Sequence, residues 1–295
     1  RSAKANLFRS LDRSDLLREH GVDVPVFGVV NEGDPNAYYF KQATRREVLT
    51  YGCGVESADL YATELEADLS GSSCVLHWEK EARRVRLPLV GAFNVENALA
   101  AIVTVAKLLD QDPLDLTEHL RDLRPLPGRM AVITANSAPF SLIVDYAHTP
   151  GSFEKVLPMV KEYTPGRLIV VFGSAGERDP AKRPLQGRLA AEHAEIVILT
   201  DEDPRLEPST KILEEIAEGV RSSWESAGSA GRLELIPDRT EAIDFAIGVA
   251  EPGDTVLCLG KGHEASIIYA DGAAPWDEQK TARELLEKHG YEVQR

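Results

Sequence analysis

Four short segments in the second half of the chain hold the residues whose types and spacing could do chemistry, and each follows an apolar run. Leu168 to Phe172 leads into Gly173-Ser174-Ala175-Gly176-Glu177-Arg178-Asp179, with Lys182 and Arg183 just beyond. Leu142 to Val144 leads into Asp145-Tyr146-Ala147-His148-Thr149-Pro150, and Ile196 to Leu199 leads into Thr200-Asp201-Glu202-Asp203-Pro204-Arg205. Thr255 to Leu259 leads into Gly260-Lys261-Gly262-His263-Glu264. Such runs read as strands buried on both faces, and a glycine after the strand lets the backbone turn tightly over a ligand. If the strands are parallel, all four loops line one edge of the sheet, where open α/β folds bind ligands. They would enclose a polar cleft with the cations Arg178, Lys182, Arg183, Arg205 and Lys261 and the acids Asp145, Asp179, Glu202, Asp203 and Glu264. Arginine grips carboxylates bidentately and carboxylates hold ammonium groups, so this mixture suits a zwitterionic substrate beside a polyphosphate.

Each segment alone has a plainer reading. Asp145 could cap the helix that follows it, His148 could be a hydrogen-bonded strand-end histidine, and Asp203-Pro204 is a turn former. Gly260-Lys261-Gly262 looks like a phosphate loop but lacks the Gly-x-x-x-x-Gly-Lys-Ser/Thr spacing, which occurs nowhere in the chain. No Gly-x-Gly-x-x-Gly follows a strand, so a nicotinamide cofactor has little support. In the first half, Asn94 and Asn97 stand three apart at a helix start, where both amides share one face. They could read a purine edge or cap the helix; capping accounts for Asn94 better than for Asn97.

The elements that must position these residues form an α/β chain. Pro25 to Asn31 suits a buried strand and is closed by the turn formers Asn31-Glu32-Gly33-Asp34-Pro35; Val48 to Tyr51 is another strand. Alternation from Leu60 to Leu89 predicts antiparallel strands turning at Gly71-Ser72-Ser73, followed by helices over 95–109 and 114–123. Arg124-Pro125-Leu126-Pro127-Gly128-Arg129 reads as an extended connector and places a domain boundary between residues 126 and 127. Beyond it, strands over 141–145, 167–172, 195–199, 233–236 and 255–259 alternate with helices over 151–163, 180–193, 209–227, 239–251 and 277–289. This is the rhythm of a mostly parallel, Rossmann-like sheet covered by helices.

A length of 295 residues allows two domains, 1–126 and 127–295, and the formal charge of −15 argues against a nucleic-acid partner. Cys53, Cys74 and Cys258 are odd in number and far apart, which fits core thiols in a reducing cytoplasm better than disulfides or a zinc site. With no apolar run near the roughly 20 residues that span a bilayer and no visible signal peptide, a cytoplasmic, membrane-free monomer is expected. The chain starts at Arg1, inside what looks like a helix, so a larger upstream part is also expected.

Taken in order, Phe93-Asn94 to Ala101, Pro127-Gly128-Arg129-Met130, Asp145 to Pro150, Phe172 to Pro184, Asp203-Pro204-Arg205 and Gly260 to Glu264 resemble the motifs of the Mur ligases over nearly the whole chain. The nearest type is MurE, which adds an amino acid to a UDP-N-acetylmuramoyl-dipeptide. The resemblance implies that 1–126 is the later part of the family's central ATPase domain and 127–295 its amino-acid-binding domain. It implies ATP and Mg as cofactors, with UDP-MurNAc-dipeptide and a diamino acid as partners. Lys4, in Ala-Lys-Ala-x-Leu-Phe, would be carbamylated and hold Mg, while His148 would be catalytic. Asn94, Asn97, Arg129 and Asp145 would contact the nucleotide. Arg178, Glu202, Asp203, Pro204, Arg205, Gly260 and Glu264 would hold the incoming amino acid. Relatives that use meso-diaminopimelate show Asp-Asn-Pro-Arg where this chain has Glu202-Asp203-Pro204-Arg205. The added acid favours a terminal ammonium, as in lysine or ornithine, while Arg205 pulls the other way. Two alternatives stay open: a folylpolyglutamate or cyanophycin type of ligase, and a Mur-like binding protein without its own ATPase half.

Overall fold

Alternating and continuous apolar runs build two different sheets. The computed structural model describes residues 1–13, 25–133 and 137–293, and the chain divides into two units, Arg1–Arg124 and Pro125–Arg295. In the first unit the elements are α1 (Ser2–Leu11), β1 (Gly28–Asn31), α2 (Ala37–Lys41), β2 (Val48–Cys53), β3 (Leu60–Asp68), β4 (Gly71–Trp78), β5 (Glu81–Leu87) and α3 (Ala92–Leu109), then a 3-10 helix over Asp115–Asp122. The strands lie in sequence order, β1 to β3 parallel and β3 to β5 antiparallel. Alternate residues Leu60, Ala62, Cys74, Leu76, Val85 and Leu87 face Val95, Leu99, Ile102 and Val103 of α3, and this contact is the unit's core.

Two expectations change here. Gly71-Ser72-Ser73 is not the turn but the start of β4; the turn is Leu69-Ser70, where Asp68 accepts the Ser70 N–H. Ser72 is drawn inward because its hydroxyl bonds to the Leu89 carbonyl and the Gly91 N–H. The helix predicted over 114–123 is a 3-10 helix. Among the described residues α3 is the one helix long and apolar enough to cross a membrane, but Val95, Ala98, Leu99, Ile102, Val103 and Ala106 are buried against the sheet, as in a core helix.

The second unit contains β6 (Ala131–Ile133), β7 (Ser141–Asp145), α4 (Pro150–Glu162), β8 (Leu168–Phe172), α5 (Lys182–His193), β9 (Ile196–Leu199), α6 (Ser209–Ala227), β10 (Arg232–Leu235), α7 (Arg239–Val249) and β11 (Thr255–Leu259). The hairpin β12 (Ser266–Tyr269) and β13 (Gly272–Pro275) and then α8 (Glu278–Lys288) complete it. The sheet order is β10-β9-β8-β11-β7-β6, parallel except for the edge strand β6. The crossovers from β7 through β10 run one way and the last, through α7 to β11, runs back. Right-handed crossovers therefore place α4, α5 and α6 on one face and α7 with α8 on the other, as the packing of α4 on α5, α5 on α6 and α7 on α8 shows. Strands β7, β8, β9 and β11 are buried nearly throughout, which is why they read as unbroken apolar runs.

Register brings the strand ends level. Asp145 pairs with Leu259, Val171 with Cys258, and Phe172 with Leu199. The loops after β7, β8, β9 and β11 therefore leave the sheet side by side, and the reversal of crossover direction at β8 and β11 opens a crevice between them.

Candidate active site

The loops are locked to each other through backbone. Gly176 donates its N–H to the Asp203 carbonyl (2.8 Å), and Gly260 donates to the Asp145 carbonyl (3.2 Å). A Cβ on Gly173 would lie 2.0 Å from the Thr200 carbonyl oxygen, so only glycine lets the β8 and β9 loops come this close. Among the described residues of this unit, the non-glycine residues with left-handed φ are Met130, Glu177 and Arg205, and all three lie in this loop cluster. Such strain collects at functional sites because the surroundings must hold it. Here Met130 is held by its N–H to Asp145 (2.8 Å) and Arg205 by its N–H to the Ile268 carbonyl (2.9 Å).

Asp145 does not cap α4. Thr149 does so, in a reciprocal box with Ser152, and both oxygens of the buried Asp145 instead accept backbone N–H groups, from Met130 and from Ala147 (2.7 Å). Asp145 thus ties the 128–130 segment to the end of β7. Arg129 is exposed and its guanidinium lies 4.7 Å from the centre of the Tyr146 ring. The ring also meets His148 and His263, and burial raises the Tyr146 hydroxyl above its ordinary pKa. His148 is half-buried with Nδ1 3.0 Å from the Tyr146 carbonyl, while its own carbonyl accepts Lys182 Nζ (3.3 Å) and Gln186 Nε2 (3.2 Å).

The β9 and β11 loops share one ion-pair cluster. Lys261 is 1% exposed; its ammonium lies 2.9 Å from Asp203 Oδ1 and 2.8 Å from Glu264 Oε2. Asp203 Oδ1 also accepts the Ile268 N–H (2.9 Å), and Glu264 Oε1 lies 3.4 Å from the Tyr146 hydroxyl. Glu202 is buried beneath Gly260, and burial pushes its carboxyl above the usual range despite the nearby Lys182, Arg239, His148 and Lys261. Among the described residues, Ser174 Oγ, Arg183 Nε, Gln186 Oε1, Glu202 Oε2 and Arg205 Nε are buried without a hydrogen-bond partner, which leaves the β9 loop an acid and a guanidinium with unmet bonding capacity. Beside Pro204 and Arg205, a recess of about 610 Å³ is lined by the start of α6 and the turn of the β12–β13 hairpin.

Arg178 and Asp179 are exposed at the rim. Arg183 does not line the cleft. It is fully buried, bonded to Glu207, to Glu215 and to the Ala175 carbonyl, and so fastens the β8 loop to α6. Sequence reasoning missed a second clamp. Arg239 is fully buried and pairs bidentately with Glu278 (2.6 and 2.8 Å) while donating to the carbonyls of Asp201 (3.1 Å) and Leu259 (2.8 Å), the roots of two site loops. Helical period could have found it: Arg239 lies four before the buried Ile243, on the core face of α7.

In the first unit, Asn94 is not the cap. Gly91 holds that position with φ +94°, and the Asn94 amide donates back to the Val90 carbonyl (2.9 Å), leaving Asn97 exposed on the same helix. Lys4 is exposed on α1 near Asp34, whose carboxyl is lowered chiefly by hydrogen bonds from Asn36 and least by Lys4. An accessible amine there can take up carbon dioxide, and the resulting carbamate is a hard oxygen donor of the kind Mg accepts; Lys4 therefore fits the expected group. Among the described residues no cluster of three or more His, Cys, Asp or Glu could hold a metal by itself. The three thiols are unpaired, and burial raises Cys53 to about 12 and Cys74 to about 11.

An open α/β sheet with charged loops at the carboxyl ends of its strands defines the second unit as a ligand-binding domain, joined here to a smaller mixed-sheet unit. The chain belongs to the Mur ligase family: residues 2–105 match the Mur ligase middle domain, and residues 128–262 match the Mur ligase, glutamate ligase domain. It is 42% identical over 296 residues to a UDP-N-acetylmuramyl-tripeptide synthetase from Treponema denticola, covering 96% of this chain and 54% of that protein. It is 37% identical over 292 residues to a UDP-N-acetylmuramoyl-L-alanyl-D-glutamate--2,6-diaminopimelate ligase from Geobacillus kaustophilus, covering 98% and 56%. A solved structure of a ligase of the latter name superposes with a TM-score of 0.64 at 31% identity, covering 98% of this chain and 56% of that one. The chain thus spans about half the length of the relatives it matches.

Proposed function

We propose that these two units belong to an ATP-dependent ligase that adds a diamino acid, as third residue, to UDP-MurNAc-L-Ala-D-Glu in peptidoglycan synthesis. The observation that carries the reading is the joining of the Asp203-Pro204-Arg205 and Gly260 to Glu264 loops, through Lys261, at the crevice of the second sheet. The dipeptide carboxylate would take the γ-phosphoryl group of ATP to give an acyl phosphate. The amine of the incoming amino acid would then attack the carbonyl carbon, and phosphate would leave through a tetrahedral intermediate.

In this reading Arg178 anchors the amino acid's carboxylate, Gly260 and Glu264 receive its amine, and Glu202 to Arg205 meet the far end of its side chain. Asn94, Asn97, Arg129 and Asp145 serve the nucleotide, and His148 stands at the reacting end. Mg held by carbamylated Lys4 would offset charge on the phosphates. The Walker spacing lies outside these residues, so the phosphate cradle would be supplied by further sequence. ATP and a UDP-linked substrate place the protein in the cytoplasm, and a monomer suffices for the chemistry.

Lysine or ornithine is the first reading of the amino acid, because an acid at Asp203 favours a terminal ammonium. One observation favours meso-diaminopimelate instead: Asp203 is already neutralised by Lys261, whereas Arg205 keeps unmet bonding capacity suited to a second carboxylate. The test supplies the complete protein with UDP-MurNAc-L-Ala-D-Glu, ATP, Mg and each of lysine, ornithine and meso-diaminopimelate in turn. Phosphate release that depends on one of them is expected; no dependence on any of them would sink the proposal.

A further inference from the structure

The Gly-Lys-Gly turn resembles a phosphate loop in sequence, yet its lysine points away from solvent. Gly260 (φ +104°) and Gly262 (φ +50°) bend the chain to either side of Lys261, and its ammonium ends between Asp203 on the β9 loop and Glu264 on its own. The lysine is 1% exposed, so its ammonium meets these two carboxylates rather than water. Glu264 is the more open partner, with about a third of its side chain exposed, and Oε2 fixed on Lys261 leaves Oε1 directed at the Tyr146 hydroxyl. One ammonium therefore ties the rotamer of Glu264 to the loop that carries Arg205, a loop that Ile268 also holds.

We infer that Lys261 is the positioning residue of the amino-acid subsite: it orients Glu264 and Asp203 for the incoming diamino acid and sets the subsite's net charge. The inference rests on the ligase reading above. Its charge has a direction. With the ammonium present, Asp203 and Glu264 together with Lys261 carry one net negative charge; without it they carry two, beside the buried Glu202. The subsite should then discriminate more strongly against an amino acid with a second carboxylate.

The experiment compares the complete wild-type enzyme with Lys261→Met and Lys261→Arg. Both KM values and kcat are measured with lysine and with meso-diaminopimelate. Lys261→Met should raise the KM of the amino acid used by about tenfold or more, leave the KM for ATP within about twofold, and shift the kcat/KM ratio toward lysine. Lys261→Arg, which keeps the charge, should recover part of the lost affinity and reverse the shift in ratio. A role limited to folding would give no preferred direction in that ratio. Should Lys261→Met fold poorly, Lys261→Gln, also uncharged, is assayed in its place, and the raised amino-acid KM and the shift in ratio are read there. Wild-type enzyme without amino-acid-dependent phosphate release refutes the ligase reading and this inference with it. Normal wild-type turnover, with the variants' amino-acid KM and selectivity unchanged, overturns the inference alone.

Discussion

Replacing Arg239 with methionine tests whether the candidate site is held from behind. The guanidinium makes four hydrogen bonds in a fully buried position, two to Glu278 and one each to the carbonyls of Asp201 and Leu259. Methionine fills much of the volume and meets none of them. Removing one partner of a buried ion pair costs about 3–5 kcal/mol, because the other charge stays buried. Trp276 still donates to Glu278, which softens that loss, while two carbonyls go unpaired at about 1 kcal/mol each. The sum, about 5–7 kcal/mol before the softening by Trp276, is a large part of the roughly 5–15 kcal/mol that holds a domain together. Urea unfolding followed by tryptophan fluorescence reads this unit directly, since Trp224 and Trp276 lie in it and only Trp78 lies in the other. Adding Glu278→Leu removes the stranded carboxylate and should recover about 2 kcal/mol. A single variant within about 1 kcal/mol of wild type, or a double variant no more stable than the single, would refute the idea that this pair carries the strand ends.

The other clamp gives a pH signature. The Glu207 carboxyl is lowered from its ordinary value to about 2, chiefly by the Arg183 hydrogen bonds and then by the Glu177 N–H. A depressed carboxyl stabilises fully above its unfolded value and loses that contribution as pH falls from about 4.5 toward 2. Glu207→Gln should therefore cost about 2 kcal/mol near neutrality and flatten the acid limb of a stability-versus-pH curve; an unaltered acid limb would contradict this. Gly173→Ala places a methyl 2.0 Å from the Thr200 carbonyl oxygen and should lower stability by about 2–4 kcal/mol in thermal melts, whereas an unchanged melting temperature would mean the two loops are not in contact. Arg178→Ala and Arg205→Ala should each raise the amino-acid KM much more than the KM for ATP, and equal effects on both would show that these loops serve another ligand.

Strands β7, β8, β9 and β11 were legible because burial on both faces leaves little but Val, Ile and Leu. Their level ends follow from parallel pairing, so the grouping of the four loops was legible too. The β12–β13 hairpin was not drawn from the sequence even though Asp271-Gly272 is a turn signal, because Gly-Ala-Ala-Pro has little strand propensity. That hairpin matters: its Ile268 holds both Asp203 and Arg205. Arg183 was misplaced for a different reason. Its neighbours in sequence are charged, but helical spacing puts it on the same face as the buried Gln186, Gly187 and Ala190, and the acids that satisfy it come from α6 and the segment before it.

The charges of the crevice therefore divide by burial and partner, not by residue type. Arg183, although its Nε is unpaired, and Lys261 are cations whose acid partners are already in place, and Asp145 and Asp203 are acids spent on backbone N–H groups or on Lys261. In the proposed reading Arg178 at the rim, Arg205 with its unpaired Nε and Glu202 with its unpaired Oε2 would meet the ligand, with Glu264 divided between the two sets. A buried polar atom without a partner costs more than an exposed one, so a fold retains it where something else completes the bond. Besides Ser174 Oγ, Arg183 Nε and Gln186 Oε1 in and after the β8 loop, the buried side-chain atoms without a partner among the described residues are Glu202 Oε2 and Arg205 Nε, both in the Glu202 to Arg205 loop. In the proposed ligase, selectivity between a terminal ammonium and a second carboxylate would turn on how Glu202 and Arg205 share that space. Asp203, the acid whose presence first suggested the answer, acts there only through Lys261.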